Sequence, residues 1–169
     1  MKRIVHILII AMLISAPLGV YGQNADDDPV IKIFSKYEDR EGVESVTISP
    51  TLLRLMIEKS NDSRTQELIS KIAGLRIITL TDGTGARGRA TREALTAELQ
   101  TVVKNDFEEI MMVRSAGERV ELYVRNKDGK GALLFIASDA NSVTVMHLAG
   151  TIDKSLIDAV MNGEIGISN

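Results

Sequence analysis

The chain has 169 residues, 20 Lys and Arg against 23 Asp and Glu, a net charge of -3, and no cysteine. The missing thiols exclude disulfides, thiol catalysis and cysteine metal sites. The mild, scattered acidity argues against binding nucleic acid or anionic lipid through bulk electrostatics.

Lys2 and Arg3 open the chain. An apolar run from Ile4 to Ile14 follows, broken only by His6, and then Pro17, Gly19 and the small-residue site Val20-Tyr21-Gly22. This is the charged, apolar, small-residue order of a secretory signal peptide. The run falls short of the roughly 20 residues that span a bilayer. The expectation is a signal peptide over 1–22, cut after Gly22, and a periplasmic product with no stable membrane insertion. Without a cysteine at the cleavage site the product is not a lipoprotein. The cut leaves 147 residues and, with Lys2 and Arg3 gone, a net charge of -5. That length suits one domain, and an exported domain without disulfides is held by its apolar core alone.

Residues 23–28 read as a polar, disordered leader. Asp28 also stands where a helix N-cap belongs, with Pro29 at the first helical position. Val30, Ile33, Phe34 and Tyr37 then give one apolar helix face, and Gly42 ends that segment. Residues 43–49 alternate as a strand. Ser49-Pro50 restarts a helix carrying Leu52, Leu53, Leu55 and Met56. Residues 61–64 read as a turn and 65–72 as a short helix, and after Gly74 the run 75–80 reads as a buried strand. Leu95, Leu99, Val102 and Val103 mark one face of a further helix.

From Phe107 four strands follow in succession, over 107–115, 118–126, 130–138 and 141–150. The turns between them are short: Ala116-Gly117, Lys127-Asp128-Gly129 and Asp139-Ala140-Asn141. Such turns imply an antiparallel meander. Asp153 caps a last helix with Leu156, Ile157, Val160 and Met161 inward, closed by Gly163. The predicted fold is α+β: a single domain over 29–163 with a tail over 164–169. Its mixed, mostly antiparallel sheet ends in the four-stranded meander, with helices packed mainly on one face. The stretch 132–137 is apolar on both faces, so it belongs near the centre of the sheet.

Gly83, Gly85 and Gly88 spell G-x-G-x-x-G between a strand and a helix. A dinucleotide fold needs this turn after the first strand of a parallel βαβ pair, with an acid ending the next strand. Here the strand is not the first, no parallel unit follows, and Asp106, Glu108 and Glu109 precede or begin the next strand. The stretch reads better as a mobile loop before a helix. Arg87, Arg89 and Arg92 remain weak candidates for holding an anion there.

Beyond the signal region His147 is the sole histidine, on the strand face of Val143 and Val145. It has no recognisable nucleophile elbow to serve and reads as a satisfied or half-exposed sheet residue. No histidine metal site and no calcium loop can be assembled. Glu108 and Glu109 point to opposite faces of their strand, and aromatic residues, at 4%, are too few for a stacking platform. No cofactor and no catalytic residue is expected.

Three stretches read together carry a resemblance: 33–56, with Phe34, Lys36-Tyr37 and Glu41-Gly42-Val43; 106–138, with Phe107-Glu108-Glu109 and Met111; and 143–157, with Gly150 and Ile152-Asp153. With the signal peptide they resemble the family known as domain of unknown function 4252, small exported proteins of Bacteroidetes-type bacteria. The resemblance implies export and this size, and it brings no assigned activity or catalytic residues. The resemblance also implies a lipoprotein cysteine in some relatives, which this chain lacks.

The expected function is that of a non-enzymatic periplasmic binding or protein-interaction module, its partner another envelope protein. An uncovered sheet face or edge would be the interaction surface. The alternatives are a small-ligand or anion-binding protein or enzyme with its site near the 82–92 loop, and a structural subunit of an envelope assembly.

Overall fold

The computed structural model describes residues 28–82, 85–127 and 130–162. The expectations for the signal peptide, for residues 23–27, for Gly83 and the Asp128-Gly129 turn, and for Gly163 and the tail lie outside the described residues.

Asp28 begins the fold as predicted: its Oδ1 accepts from the Val30 N–H, and Pro29 fills the first position of α1 (Pro29–Tyr37). β1 (Val43–Ile48) follows. Ser49 caps α2 (Pro50–Lys59) through the Leu52 N–H. Asp62 caps α3 (Ser63–Ser70), accepting from the Arg64 and Thr65 N–H groups. The helix therefore starts inside the stretch expected to be a turn. An Asx side chain serves turns and N-caps equally well. β2 (Ile72–Thr81), α4 (Ala86–Asp106), β3 (Glu108–Ser115), β4 (Glu118–Lys127), β5 (Lys130–Ser138), β6 (Ser142–Gly150) and α5 (Lys154–Met161) complete the order.

All five strand pairings are antiparallel, and the sheet runs β1-β2-β6-β5-β4-β3. The sheet is thus wholly antiparallel, where the sequence pointed to a mixed one. The expected meander is present, and β5 is central. β3 lies four strands from β2, or about 19 Å at the usual strand spacing. The 21 residues of α4, about 30 Å long, carry the chain across that distance. The meander then walks back until β6 seats beside β2. At the β3–β4 turn Ala116 (φ 49°) and Gly117 (φ 88°) are both left-handed, the pairing that suits the twist of a two-residue hairpin.

Because side chains alternate along a strand, the sheet has two faces. The first carries Ile78, Leu80, Val143, Val145, Leu134, Ile136 and Tyr123, buried under Val30, Ile33, Phe34 and Tyr37 of α1 and Leu95, Leu99 and Val103 of α4. The second carries Leu122, Leu133 and Leu148, packed with Leu53 of α2, Leu68 of α3 and Leu156 and Ala159 of α5. The helices thus divide two and three, more evenly than the sequence reading had them, with the longest on the first face. The doubly apolar β5 explains this: Leu134 and Leu133 point oppositely, and both are nearly fully buried. Each buried leucine contributes about 1.5–3 kcal/mol relative to exposure.

The three helices on the second face have 10, 8 and 8 residues, and they gather over one end of it. They cover the cross-strand row Ile48, Leu75, Leu148, Leu133 and Val124. The next row, Val46, Ile77, Met146 and Phe135, is exposed or half-buried until it reaches the buried Leu122, and so is the one beyond it, Glu44, Thr79, Thr144, Ala137, Val120 and Val113. Val46 and Val113 are 41% and 49% exposed. On α2 only Leu53 is buried, while Leu52, Leu55 and Met56 are exposed, as is Met161 of α5, which was expected inward.

Candidate functional site

Polar side chains assemble at three places on or beside the first sheet face. The deepest assembly surrounds Asp28. The carboxylate that caps α1 through Oδ1 offers Oδ2 to Arg125 of β4 in a close hydrogen-bonded ion pair. His147 of β6, 1% exposed, has its Nε2 3.3 Å from the same oxygen, without the alignment of a hydrogen bond. Arg125 also lies over the Phe107 ring, 4.9 Å from its centre. Burial pushes the Asp28 carboxyl up, but His147 and Arg125 outweigh it and hold the group well below the usual carboxylate range. Cross-strand pairing sets Arg76, Leu134, Tyr123 and Glu109 in the same row as His147.

The second assembly follows from period-two alternation along β4, which places Arg119, Glu121, Tyr123 and Arg125 on one face. Glu121 is 2% exposed. Its Oε1 accepts from the Tyr123 hydroxyl and, at 2.5 Å, from Arg119 Nη2. Burial first, and then the Glu121 carboxylate, push the Tyr123 hydroxyl up to about 12. It therefore stays a proton donor at neutral pH.

The third assembly joins the end of β2 to the first turns of α4. Arg92 places Nε and Nη2 at 2.9 Å from the two oxygens of Asp82, and Nη2 also reaches the Ala140 carbonyl at 3.1 Å. The paired guanidinium, with help from Arg89, holds the Asp82 carboxyl down. Gly85 (φ 70°) is the N-cap of α4, and Gly88 is buried in its first turns. Arg87 and Arg89 are exposed, while Arg92 is committed to tying the β2 end to the β5–β6 turn. R92K should keep the charge, lose the two-pronged geometry and cost about 1–2 kcal/mol. It should also speed amide exchange at Asp82, whose N–H donates to the Asn141 carbonyl at 2.7 Å; unchanged exchange would refute that role.

None of these assemblies pairs a nucleophile with a base. Asp28 with Arg125, Glu121 with Arg119 and Asp82 with Arg92 are paired, while Arg119 Nε and His147 Nε2 are buried without a hydrogen-bond partner. Among the described residues no three His, Asp or Glu side chains gather as metal ligands. A hollow of about 340 Å³ beside the β3–β4 turn is lined by Arg114, Ser115, Ala116, Gly117, Glu118 and Arg119. It is wide open, and Glu118 sets a carboxylate beside its two arginines.

A profile described as "Domain of unknown function (DUF4252)" matches residues 37–160. The chain belongs to the DUF4252 family. The match runs from the end of α1 through the whole sheet into α5, as the three resembling stretches implied. In this DUF4252 protein Arg125 and His147 lie inside the matched segment, and Asp28 lies ahead of it. No curated protein matches the chain. Among solved structures it is similar to the crystal structure of a protein of unknown function, PA94, from Pseudomonas aeruginosa, at 8% identity and a TM-score of 0.36, covering 75% of this chain and 79% of that one. A likeness that low carries no argument.

Sequence reasoning placed His147 on the correct face but missed its partners. Asp28 was counted with the leader beyond its capping role. The signal for more lay in the period-two row Arg119, Glu121, Tyr123 and Arg125, charged side chains alternating with the buried Leu122 in a strand that sits next to the doubly apolar β5.

Proposed function

We propose that this DUF4252 protein is an exported envelope protein acting as a non-enzymatic interaction module, with the bare part of the second sheet face as its contact surface. The observation that carries the reading is the apolar row Val46, Ile77, Met146 and Phe135, left exposed or half-buried beside the short helices. Thr79 and Thr144, 3.2 Å apart at their hydroxyls, extend it as a polar row that ends at the exposed Glu44. Contiguous exposed apolar area of this kind marks interaction sites on soluble proteins. The N-terminal order of charged, apolar and small residues supports export.

Two measurements test the reading. Fractionation of expressing cells should place the protein in the periplasm with Gln23 as its first residue; a cytosolic product that retains residues 1–22 would sink the export half. A photo-crosslinking amino acid at Thr144 or Met146 should give a discrete adduct in the envelope, absent when the same group sits at Ala94 on the solvent side of α4. Equal adducts at both places, or none at either, would sink the interaction half.

A further inference from the structure

The two edges of the sheet are built differently. β3 carries Glu108, Glu109 and Arg114, and its pairing with β4 slips between Glu109 and Met111, so a bulge and charges blunt it. These are the usual protections of an exposed edge. β1 has no bulge and a single charge. Its register with β2 is unbroken from Val43 to Ile48, it contains no lysine or proline, and its one charge is Glu44. Residues 44 to 47 are all exposed.

More of the exposed apolar side chains belong to β1 and the helix that follows it than to the β3 edge. Of the seven large hydrophobic residues standing in solvent among the described residues, Val46, Leu52, Leu55 and Met56 fall within β1 and α2. Leu53 and Ile57 occupy the inward side of α2. Leu52, Leu55 and Met56 lie at the i, i+3, i+4 spacing of a single stripe, about 100° round the helix from Leu53.

We propose that a second copy of this chain seats on the β1 edge and the exposed flank of α2, forming a two-fold dimer whose sheets run on into each other. The inference rests on the interaction-module reading and gives it a partner. A two-fold axis normal to the sheet preserves its faces, so the antiparallel seam must set one residue opposite itself. Centring on Glu44 would oppose two carboxylates, which destabilises. Centring on Val46 pairs Val46 with the partner's Val46, Ser45 with the partner's Thr47, and Glu44 with the partner's Ile48. It keeps the charges apart and carries the row Phe135, Met146, Ile77 and Val46 through the seam without a break. A short strand pairing alone buries less than the roughly 1,000 Å² expected of a biological interface. The two α2 flanks, one from each copy, supply further apolar area. Pairing β1 to the partner's β3 would give an open-ended filament instead of a closed pair, and the β3 bulge opposes it.

The chain has no cysteine, so a single one reports without background. The protein, expressed from its full reading frame and purified, should show twice the chain mass by light scattering. V46C should oxidise to a disulfide-linked pair, and V113C on the β3 edge should not. V46K should dissociate the dimer, raising its dissociation constant at least tenfold, while its circular dichroism spectrum stays that of the parent, because the side chain is exposed in the single chain. Mixing V46K with V46E should restore the dimer. A monomer at every concentration would overturn the inference, as would a dimer that survives V46K with no V46C link. In either case, an adduct from Met146 to a different envelope protein would leave the interaction reading standing.

Discussion

Replacing Asp28 with alanine should destabilise the domain by about 3–4 kcal/mol, measured by urea unfolding. Two losses combine. The cap of α1 is worth about 1 kcal/mol. The larger loss is the charge partner of Arg125, whose side chain is 17% exposed. A guanidinium left buried without its carboxylate keeps the desolvation cost and loses the compensation. D28N separates the two effects, because asparagine caps as well as aspartate does. It should recover about 1 kcal/mol and no more. Full recovery by D28N would show that the ion pair contributes nothing.

The same pair predicts a pH dependence. The folded carboxyl of Asp28 is held below its unfolded value of about 3.9. Its contribution is therefore complete above that value and is lost as the pH falls toward the depressed folded one. The stability gap between the parent and D28N should be constant near neutrality and should close progressively below about pH 4. A gap that instead widens in acid would contradict the assignment.

Gly150→Ala is expected to cost at least about 3 kcal/mol, beyond the usual overpacking penalty because the obstacle is main chain. A Cβ there would lie 2.1 Å from the Lys71 carbonyl oxygen and 3.1 Å from both Ala73 N and Ile72 Cα. That carbonyl also accepts the Thr151 N–H at 2.9 Å, so it cannot swing aside without breaking the link between the end of β6 and the start of β2. Gly131, the cross-strand partner of Gly150, is equally confined: a Cβ on it would come within 2.4 Å of the Ile152 side chain. Gly74, three residues beyond Lys71, is the control. Nothing lies within 4 Å of its missing Cβ, and G74A should leave the melting temperature nearly unchanged. Equal effects from G150A and G74A would rule out the steric account.

The local elements were legible because local chemistry determines them. Asp28-Pro29, Ser49-Pro50 and Asp153 announced three helix starts, and period-two alternation announced the meander. Asp62 did not stand out, because Asn61-Asp62-Ser63 suits a turn and an N-cap alike. The exposure of Leu52, Leu55 and Met56 was hidden for a different reason. Periodicity says that a side of a helix is apolar, and only the surroundings decide whether that side is covered. Strand order was hidden too. The β2–β6 pairing sets Thr79 beside Thr144, 65 residues on, and no feature of either strand names the other. The Asp28 cluster depends on that long-range assembly, so its chemistry became visible only when β4 and β6 came together under α1.

The place of β6 next to β2 bears on when the chain can fold. Asp28 meets Arg125 across 97 residues, and β2 has only the β1 edge to pair with until the last strand has arrived. Loop-closure entropy must be met before such distant contacts return any stabilisation, so assembly falls in the slow, high-contact-order regime of about milliseconds to seconds. A polypeptide threaded through a translocation channel from its N-terminus would remain extensible for most of its passage, its first helix undocked until the final strand emerges on the far side.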